Sequence, residues 1–187
     1  MEHIFSYDHV FWQFQAPNAQ DLNDYIWSLN TYSGAPWDAL CSVKTLQITE
    51  NYPEALLQPS IDLLNRFIGK EVTLKMNRPW VSEYARGDHQ EVHDHNDCDL
   101  VAVYFPEYLE GFSKFYFVDR NVNLSRPVRD LLELPNNLVV NVKAGDIIFF
   151  PGHMLHGVSV HKSDIIRRSL SCNLWIKRIH TPSAGLT

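Results

Sequence analysis

The chain is short of the features that would tie it to a secretory route, a membrane or a nucleic-acid backbone. Its three cysteines, Cys41, Cys98 and Cys172, are an odd number with no Cys-x-x-Cys pair, so neither a disulfide framework nor a cysteine zinc site is expected. No apolar run approaches the roughly 20 residues of a membrane span. The opening stretch MEHIFSYDHVFWQF has neither the basic region nor the small-residue cleavage site of a secretory signal, and the expected location is the cytoplasm. A net charge of −6 disfavours broad phosphate-backbone binding, although local pairs such as Arg167-Arg168 and Lys177-Arg178 carry positive charge. No nucleic-acid partner is evident. There is also no internal repeat, low-complexity tract or linker. What is present is ordinary globular composition over 187 residues, 45% hydrophobic and 20% charged, which suits a single domain spanning 1–187 with a full core.

The first 70 residues read as a helical flank and residues 71–177 as a β core. Asn18 as N-cap with Asp21 three residues on, followed by Leu22, Ile26 and Leu29, predicts a helix ended by Gly34-Ala35-Pro36. Ser42 to Ile48 alternates weakly and is expected as a strand. Ile61, Leu64, Phe67 and Ile68 give the apolar stripe of a second helix closed by Gly69, with Pro53 and Pro59 suited to helix starts. From Val72 the period changes to two. Strands are expected at Val72–Met76, Trp80–Tyr84, Glu91–Asp97, Leu100–Phe105, Lys114–Val118, Leu138–Val142, Ile147–Phe150, His156–Val160 and Arg167–Trp175, with turn residues between them. Short strands after two helices predict a mainly β protein, a jelly-roll or cupin-like barrel with the N-terminal helices packed on one sheet.

Chemistry concentrates at the ends of this core. Glu91, His93, His95 and, if that strand persists, Asp97 share one face, and His156 lies far along the chain. Two ligands at i and i+2 plus a distal histidine are how a β-barrel builds a facial metal site; the competing reading is a set of hydrogen-bonded loop histidines. His89, His153 and His161 fall on turns or loops. In the last strand Arg167, Ser169, Ser171, Asn173 and Trp175 share one face, and Arg168, Leu170, Cys172, Leu174 and Ile176 share the other. A tight hairpin centred between His161 and Lys162 would set His156 opposite Arg167, with opposed Cβ atoms about 5 Å apart. A metal-ligating imidazole and a guanidinium in one space suit a carboxylate ligand anchored at both ends. Arg167 would take that carboxylate through two hydrogen bonds and Ser169 would add a hydroxyl.

These residues carry a resemblance. Trp80-Val81-Ser82-x-Tyr84, Gly87-Asp88, His93-x-His95 followed by Leu100-Val101-Ala102-Val103-Tyr104, Gly145-Asp146-Ile147-Ile148-Phe149-Phe150-Pro151, His156-Gly157-Val158 and Arg167-x-Ser169-x-Ser171-x-Asn173 resemble a bacterial and phage branch of the 2-oxoglutarate and Fe(II)-dependent oxygenase superfamily. The match covers Asn77 to Trp175; phage origin would make the compartment the host cytoplasm. The resemblance implies a double-stranded β-helix, Fe(II) as cofactor, 2-oxoglutarate as cosubstrate converted to succinate and CO2, and hydroxylation of an unidentified prime substrate. Two ligand sets follow: His93, His95 and His156, towards which the spacing to Leu100 and Tyr104 leans, or His95, Asp97 and His156, the superfamily's usual two histidines and a carboxylate. A three-histidine site also suits zinc. Arg167 and Ser169 would hold the distal carboxylate of 2-oxoglutarate, with Tyr84 or Tyr104 as a further donor, and Trp80, Tyr84 and Trp175 as pocket wall. Loops Glu107–Ser113 and Asp119–Pro135 would select the substrate. The alternatives are a cupin-type isomerase or cosubstrate-free dioxygenase, which has no need of Arg167-x-Ser169, and a non-catalytic jelly-roll binding module.

Overall fold

A computed structural model of the chain describes residues 11–30, 32–34, 42–49, 54–118, 127 and 137–180. Among these residues the elements follow one another as β1 (Trp12–Gln15), α1 (Ala19–Ser28), β2 (Ser33–Gly34), β3 (Lys44–Gln47), α2 (Glu54–Ile68), β4 (Glu71–Tyr84), β5 (Gln90–His93), β6 (Leu100–Tyr104), β7 (Phe115–Val118), β8 (Asn137–Val139), β9 (Asp146–Pro151), β10 (His156–Val158) and β11 (Arg167–His180). The strands form a large sheet in the order β1-β9-β6-β11-β4-β3-β2 and a small one in the order β5-β10-β7-β8. Every recorded pairing is antiparallel. This is the double-stranded β-helix expected.

The central strands of the large sheet bury both faces, so they read as continuous apolar runs rather than as alternation. On β6 and β9, Ala102, Tyr104, Ile147 and Phe149 pack against Leu22 and Ile26 of α1 and Leu57, Ile61 and Leu64 of α2. Val101, Val103, Phe105, Ile148 and Phe150 turn the other way and meet Phe115 and Phe117 of β7. Burying each such side chain is worth about 1.5–3 kcal/mol, and the two layers together hold the sheets at a fixed spacing. β11 obeys the same alternation with a different content. Leu170, Cys172 and Leu174 join the helix-side core, whereas Arg167, Ser169 and Ser171 are buried on the inner side.

Five sequence expectations need correction. First, His156–Val160 and Arg167–Trp175 do not form a hairpin: β10 lies between β5 and β7, and β11 lies between β6 and β4. His156 pairs with His93 and Phe117, and Arg167 pairs with Tyr84. The segment between them crosses from one sheet to the other, pinned by the fully buried His161, which bonds Asp88, Gly87, Ser113 and Ile165. His156 and Arg167 therefore approach one interior from facing sheets instead of lying side by side. Second, the flank contains a strand the helical reading overlooked. β1 pairs with β9, and Gln13 and Gln15 both donate to the Asp146 carboxylate. Third, β4 runs unbroken through Pro79; Arg78 and Pro79 together oppose Cys172 as a bulge, the place where a strand tolerates proline. Fourth, Pro59 lies inside α2 rather than at its start. Fifth, β5 ends at His93, so Asp97 falls in a turn and not on a strand. Pro53 and most of Asp119–Pro135 lie outside the described residues.

Candidate metal and cosubstrate site

Three imidazoles from two strand ends converge between the sheets. His93 closes β5, His95 follows it, and His156 opens β10; their candidate ligand nitrogens lie within 4.8 Å of one another. The ring centroids of His93 and His156 are 4.3 Å apart, and His95 is 5.2 Å from each. Each Nδ1 is already committed to an oxygen acceptor. His93 donates to the Glu91 carbonyl at 2.9 Å, His95 to Asn173 Oδ1 at 2.7 Å and His156 to the Met154 carbonyl at 2.9 Å. These bonds fix one tautomer in all three rings and leave each Nε2 lone pair for a metal, the outer-sphere support that ligating histidines need.

The electrostatics favour neutral, ligating rings. Burial pushes His156 well below the ordinary imidazole range, with the neighbouring His93 adding to it. Burial also lowers His95, partly offset by the bond to Asn173. His95 is positioned from outside its own strand: its N–H donates to the Gly152 carbonyl at 2.7 Å, and Gly152 N–H donates to Asp99. A Cβ at Gly152 would stand 2.4 Å from the Cys98 carbonyl and 2.5 Å from that of His95, so only glycine permits this approach. Trp80 stacks on His95 with centroids 5.7 Å apart.

Opposite the imidazoles lies Arg167. It is 1% exposed, and its Nε and Nη1 have no hydrogen-bond partner. Its guanidinium sits 4.8 Å from the Tyr84 ring centroid and 5.5 Å from that of Phe105. Burial lowers its pKa, with the Tyr84 phenol working in the other direction. Among the described residues no carboxylate forms an ion pair with it. A buried cation without an anion is costly, and its vacant N–H donors offer charge-assisted hydrogen bonds to a carboxylate. Arg168, one residue on and on the opposite face, shows what a satisfied arginine looks like here. It bonds Glu83 Oε2 at 2.9 Å and the carbonyls of Ile26 and Leu29 at the C-terminal end of α1, and its guanidinium lies 4.6 and 4.7 Å from the ring centroids of Trp27 and Tyr32.

Of the residues singled out in the sequence, His93, His95, His156, Arg167, Ser169, Tyr84 and Trp80 line one inner chamber together with Gln90, Ser82 and Ser171. Trp80, Gln90, His93 and His95 also border an outer cleft of about 530 Å³, lined further by Gln47, Glu91, Asp94, Asn96, Asp97 and Asn173, within the size range of small-molecule sites. Three expectations fail. Tyr104 faces the helices, and its hydroxyl donates between the Ala19 carbonyl and Asn23 Oδ1; it shares the face of Ala102 because strand neighbours two apart point alike. Asp97 is exposed in its turn and outside the imidazole cluster, so the set with His95, Asp97 and His156 is not assembled. Trp175 lines neither cavity, and its Nε1 donates to the Asp97 carbonyl at 2.7 Å, holding that turn. Two residues escaped the sequence reading. Asn173 was visible as a polar position but not as the support of His95. Gln90 is out of phase with His93 on an ideal strand and carried no signal.

The fold and this chamber define a class: a double-stranded β-helix with a cluster of three histidines that could hold a metal, facing a buried arginine. A family model described as "Putative 2OG-Fe(II) oxygenase" matches residues 78–173, the span from within β4 to Asn173 that contains every residue of the chamber. The chain belongs to this family of Fe(II)- and 2-oxoglutarate-dependent oxygenases. No curated protein matches it by sequence. Among solved structures it is similar to a 2OG-Fe(II) oxygenase family oxidoreductase from Burkholderia pseudomallei, with 10% identity, TM-score 0.65, and coverage of 90% of this chain and 88% of that one. It is also similar to a Pseudomonas putida prolyl-4-hydroxylase, with 16% identity, TM-score 0.61, and coverage of 91% and 95%. A third is HygX from Streptomyces hygroscopicus, solved with nickel and 2-oxoglutarate, with 12% identity, TM-score 0.60, and coverage of 89% and 83%. At these identities the likeness is one of fold. No helix among the described residues is long and apolar enough to cross a membrane.

Proposed function

We propose that this protein hydroxylates a small-molecule substrate, with His93, His95 and His156 holding Fe(II) through Nε2 and Arg167 holding the distal carboxylate of 2-oxoglutarate. The observation that carries the assignment is the buried Arg167 with two vacant donors facing three imidazoles whose Nδ1 atoms are all occupied. Bound there, the iron supplies the oxygen activation by which substrate, 2-oxoglutarate and O2 become hydroxylated substrate, succinate and CO2. The chain's own residues orient and exclude. Ser169 lies two residues from Arg167 on the same inner face and adds a hydroxyl to the carboxylate cradle. Tyr84 packs on the guanidinium and keeps it from tilting away. Val101, Val103, Phe115 and Val158 wall the chamber with apolar surface, which strengthens the charge-assisted bonds by keeping water out. The outer cleft beside Trp80 and His95 is the entry for the prime substrate.

A cupin-type isomerase or a cosubstrate-free dioxygenase gives no role to an unpaired buried guanidinium, which favours the oxygenase. The test is succinate release from 2-oxoglutarate in air after anaerobic loading with Fe(II), against Zn(II)-loaded protein as control. Slow succinate formation with Fe(II) alone is expected. Equal succinate from both forms, or none from the Fe(II) form across candidate substrates, would remove the proposal.

A further inference from the structure

Gln90 lines both the inner chamber and the outer cleft, and its carboxamide joins the two halves of the site. Its Oε1 accepts the Tyr84 hydroxyl at 2.8 Å, and its Nε2 donates to His93 Nε2 at 3.3 Å. A bulge makes this possible. His156 pairs with His93 but Val158 pairs with Gln90, so Glu91 and Val92 together oppose the single residue Gly157. The extra residue rotates Gln90 onto the side of His93, against strict alternation, which is the re-aiming that bulges perform beside active sites. His93 has its Nδ1 hydrogen directed at the Glu91 carbonyl, so Nε2 is its only lone pair. That lone pair cannot accept from Gln90 and ligate a metal at once.

We propose that Gln90 interlocks metal and cosubstrate binding: its amide holds His93 Nε2 until a metal takes that nitrogen, and the freed N–H then donates to an oxygen of the diacid lying between the metal and Arg167. The inference rests on the ligand and anchor assignment above. The freed donor remains beside Tyr84, whose ring carries the Arg167 guanidinium 4.8 Å from its centroid, so the nearest chemistry offering an acceptor is the anion those two residues surround. A part-buried donor left without an acceptor costs roughly a factor of five to a hundred in an equilibrium constant. Metal and diacid therefore favour each other through this residue, and by linkage the coupling is mutual.

The test is anaerobic titration calorimetry with Mn(II), then with 2-oxoglutarate on the Mn(II)-loaded protein, for wild type, Gln90→Ala and Gln90→Glu, each checked for a cooperative melt. Removing the competing donor should leave Mn(II) binding in Gln90→Ala unchanged or up to about tenfold tighter, while 2-oxoglutarate binds about tenfold more weakly. Gln90→Glu keeps the length and the acceptor for Tyr84 but cannot donate when ionised. It should tighten Mn(II) and weaken the diacid at least as much. This opposition of signs is what a merely structural residue would not produce, since loosening the site weakens both. Weaker Mn(II) binding in Gln90→Ala, or unaltered diacid affinity in both variants, overturns the interlock. Wild-type protein that binds Mn(II) but never the diacid overturns the oxygenase reading instead, so the two failures are distinguishable.

Discussion

Replacing Arg167 by methionine should make the ligand-free protein more stable and destroy its response to 2-oxoglutarate. The guanidinium is buried, lacks partners on two of its nitrogens, and is held by the ring and a hydrogen bond of Tyr84 and by the ring of Phe105. Burying an ion without its partner costs several kcal/mol even after relaxation, and contacts to aromatic faces return about 0.5–2 kcal/mol each. The net gain from an apolar side chain of similar length is then about 1–3 kcal/mol. At about 2–4 °C per kcal/mol for a domain of this size, Arg167→Met should melt roughly 2–12 °C higher than wild type without ligand. With Mn(II) and 2-oxoglutarate at a hundred times its Kd, wild type gains about 2.7 kcal/mol and the variant gains nothing, so the gap should close or reverse. Differential scanning calorimetry with and without the diacid reads both halves. Arg168→Met is the internal control. It breaks the Glu83 pair and uncaps α1, so it should lose about 3–5 kcal/mol while its folded molecules still respond to 2-oxoglutarate. The reasoning is refuted if Arg167→Met destabilises the ligand-free protein as Arg168→Met does, or if it keeps a diacid-dependent shift.

His93→Ala should lose most of its metal while Asp97→Ala retains it, as judged by metal content of the purified folded variants; the reverse ranking would restore the set containing Asp97. Asn173→Ala frees the Nδ1 of His95 and should weaken metal binding about 10- to 100-fold, measured by competition with a chelator, with little change in melting of the metal-free protein. Stability of the metal-free protein should fall as pH drops below about 6.5, the unfolded imidazole value. His95 and His156 are both held neutral by burial, so the unfolded chain binds more protons than the folded one in that range and acid favours unfolding. Urea melts between pH 7.5 and 5.5 check this, and His156→Leu should flatten the slope.

The parts of the fold that could be read in advance were those governed by a single period. The two faces of Arg167–Ile176 follow from strict alternation, and the polar content of one face announced a lined chamber before its partners were known. Leu22, Ile26, Ile61 and Leu64 likewise predicted the helix faces that cover the large sheet. Reading failed where a tertiary contact overrides local pattern. His161 looked like part of a tight turn, yet it is fully buried and sends the chain across to the other sheet. Tyr104 was expected as a further donor to the cosubstrate, but its parity on β6 assigns it to the helices. Gln90 reaches the chamber beside a bulge, and a bulge shifts phase by one residue without a mark in composition. Gly152 read only as a strand stop, although the lack of a side chain there is what lets the backbone of His95 and Cys98 approach it closely.

A crystal structure of the protein with Mn(II) and 2-oxoglutarate under anaerobic conditions tests the central claim most directly. The account predicts one metal on Nε2 of His93, His95 and His156, with the far carboxylate of the diacid bonded to the Arg167 guanidinium. A metal held by Asp97 in place of His93, or a diacid bound away from Arg167, would contradict it.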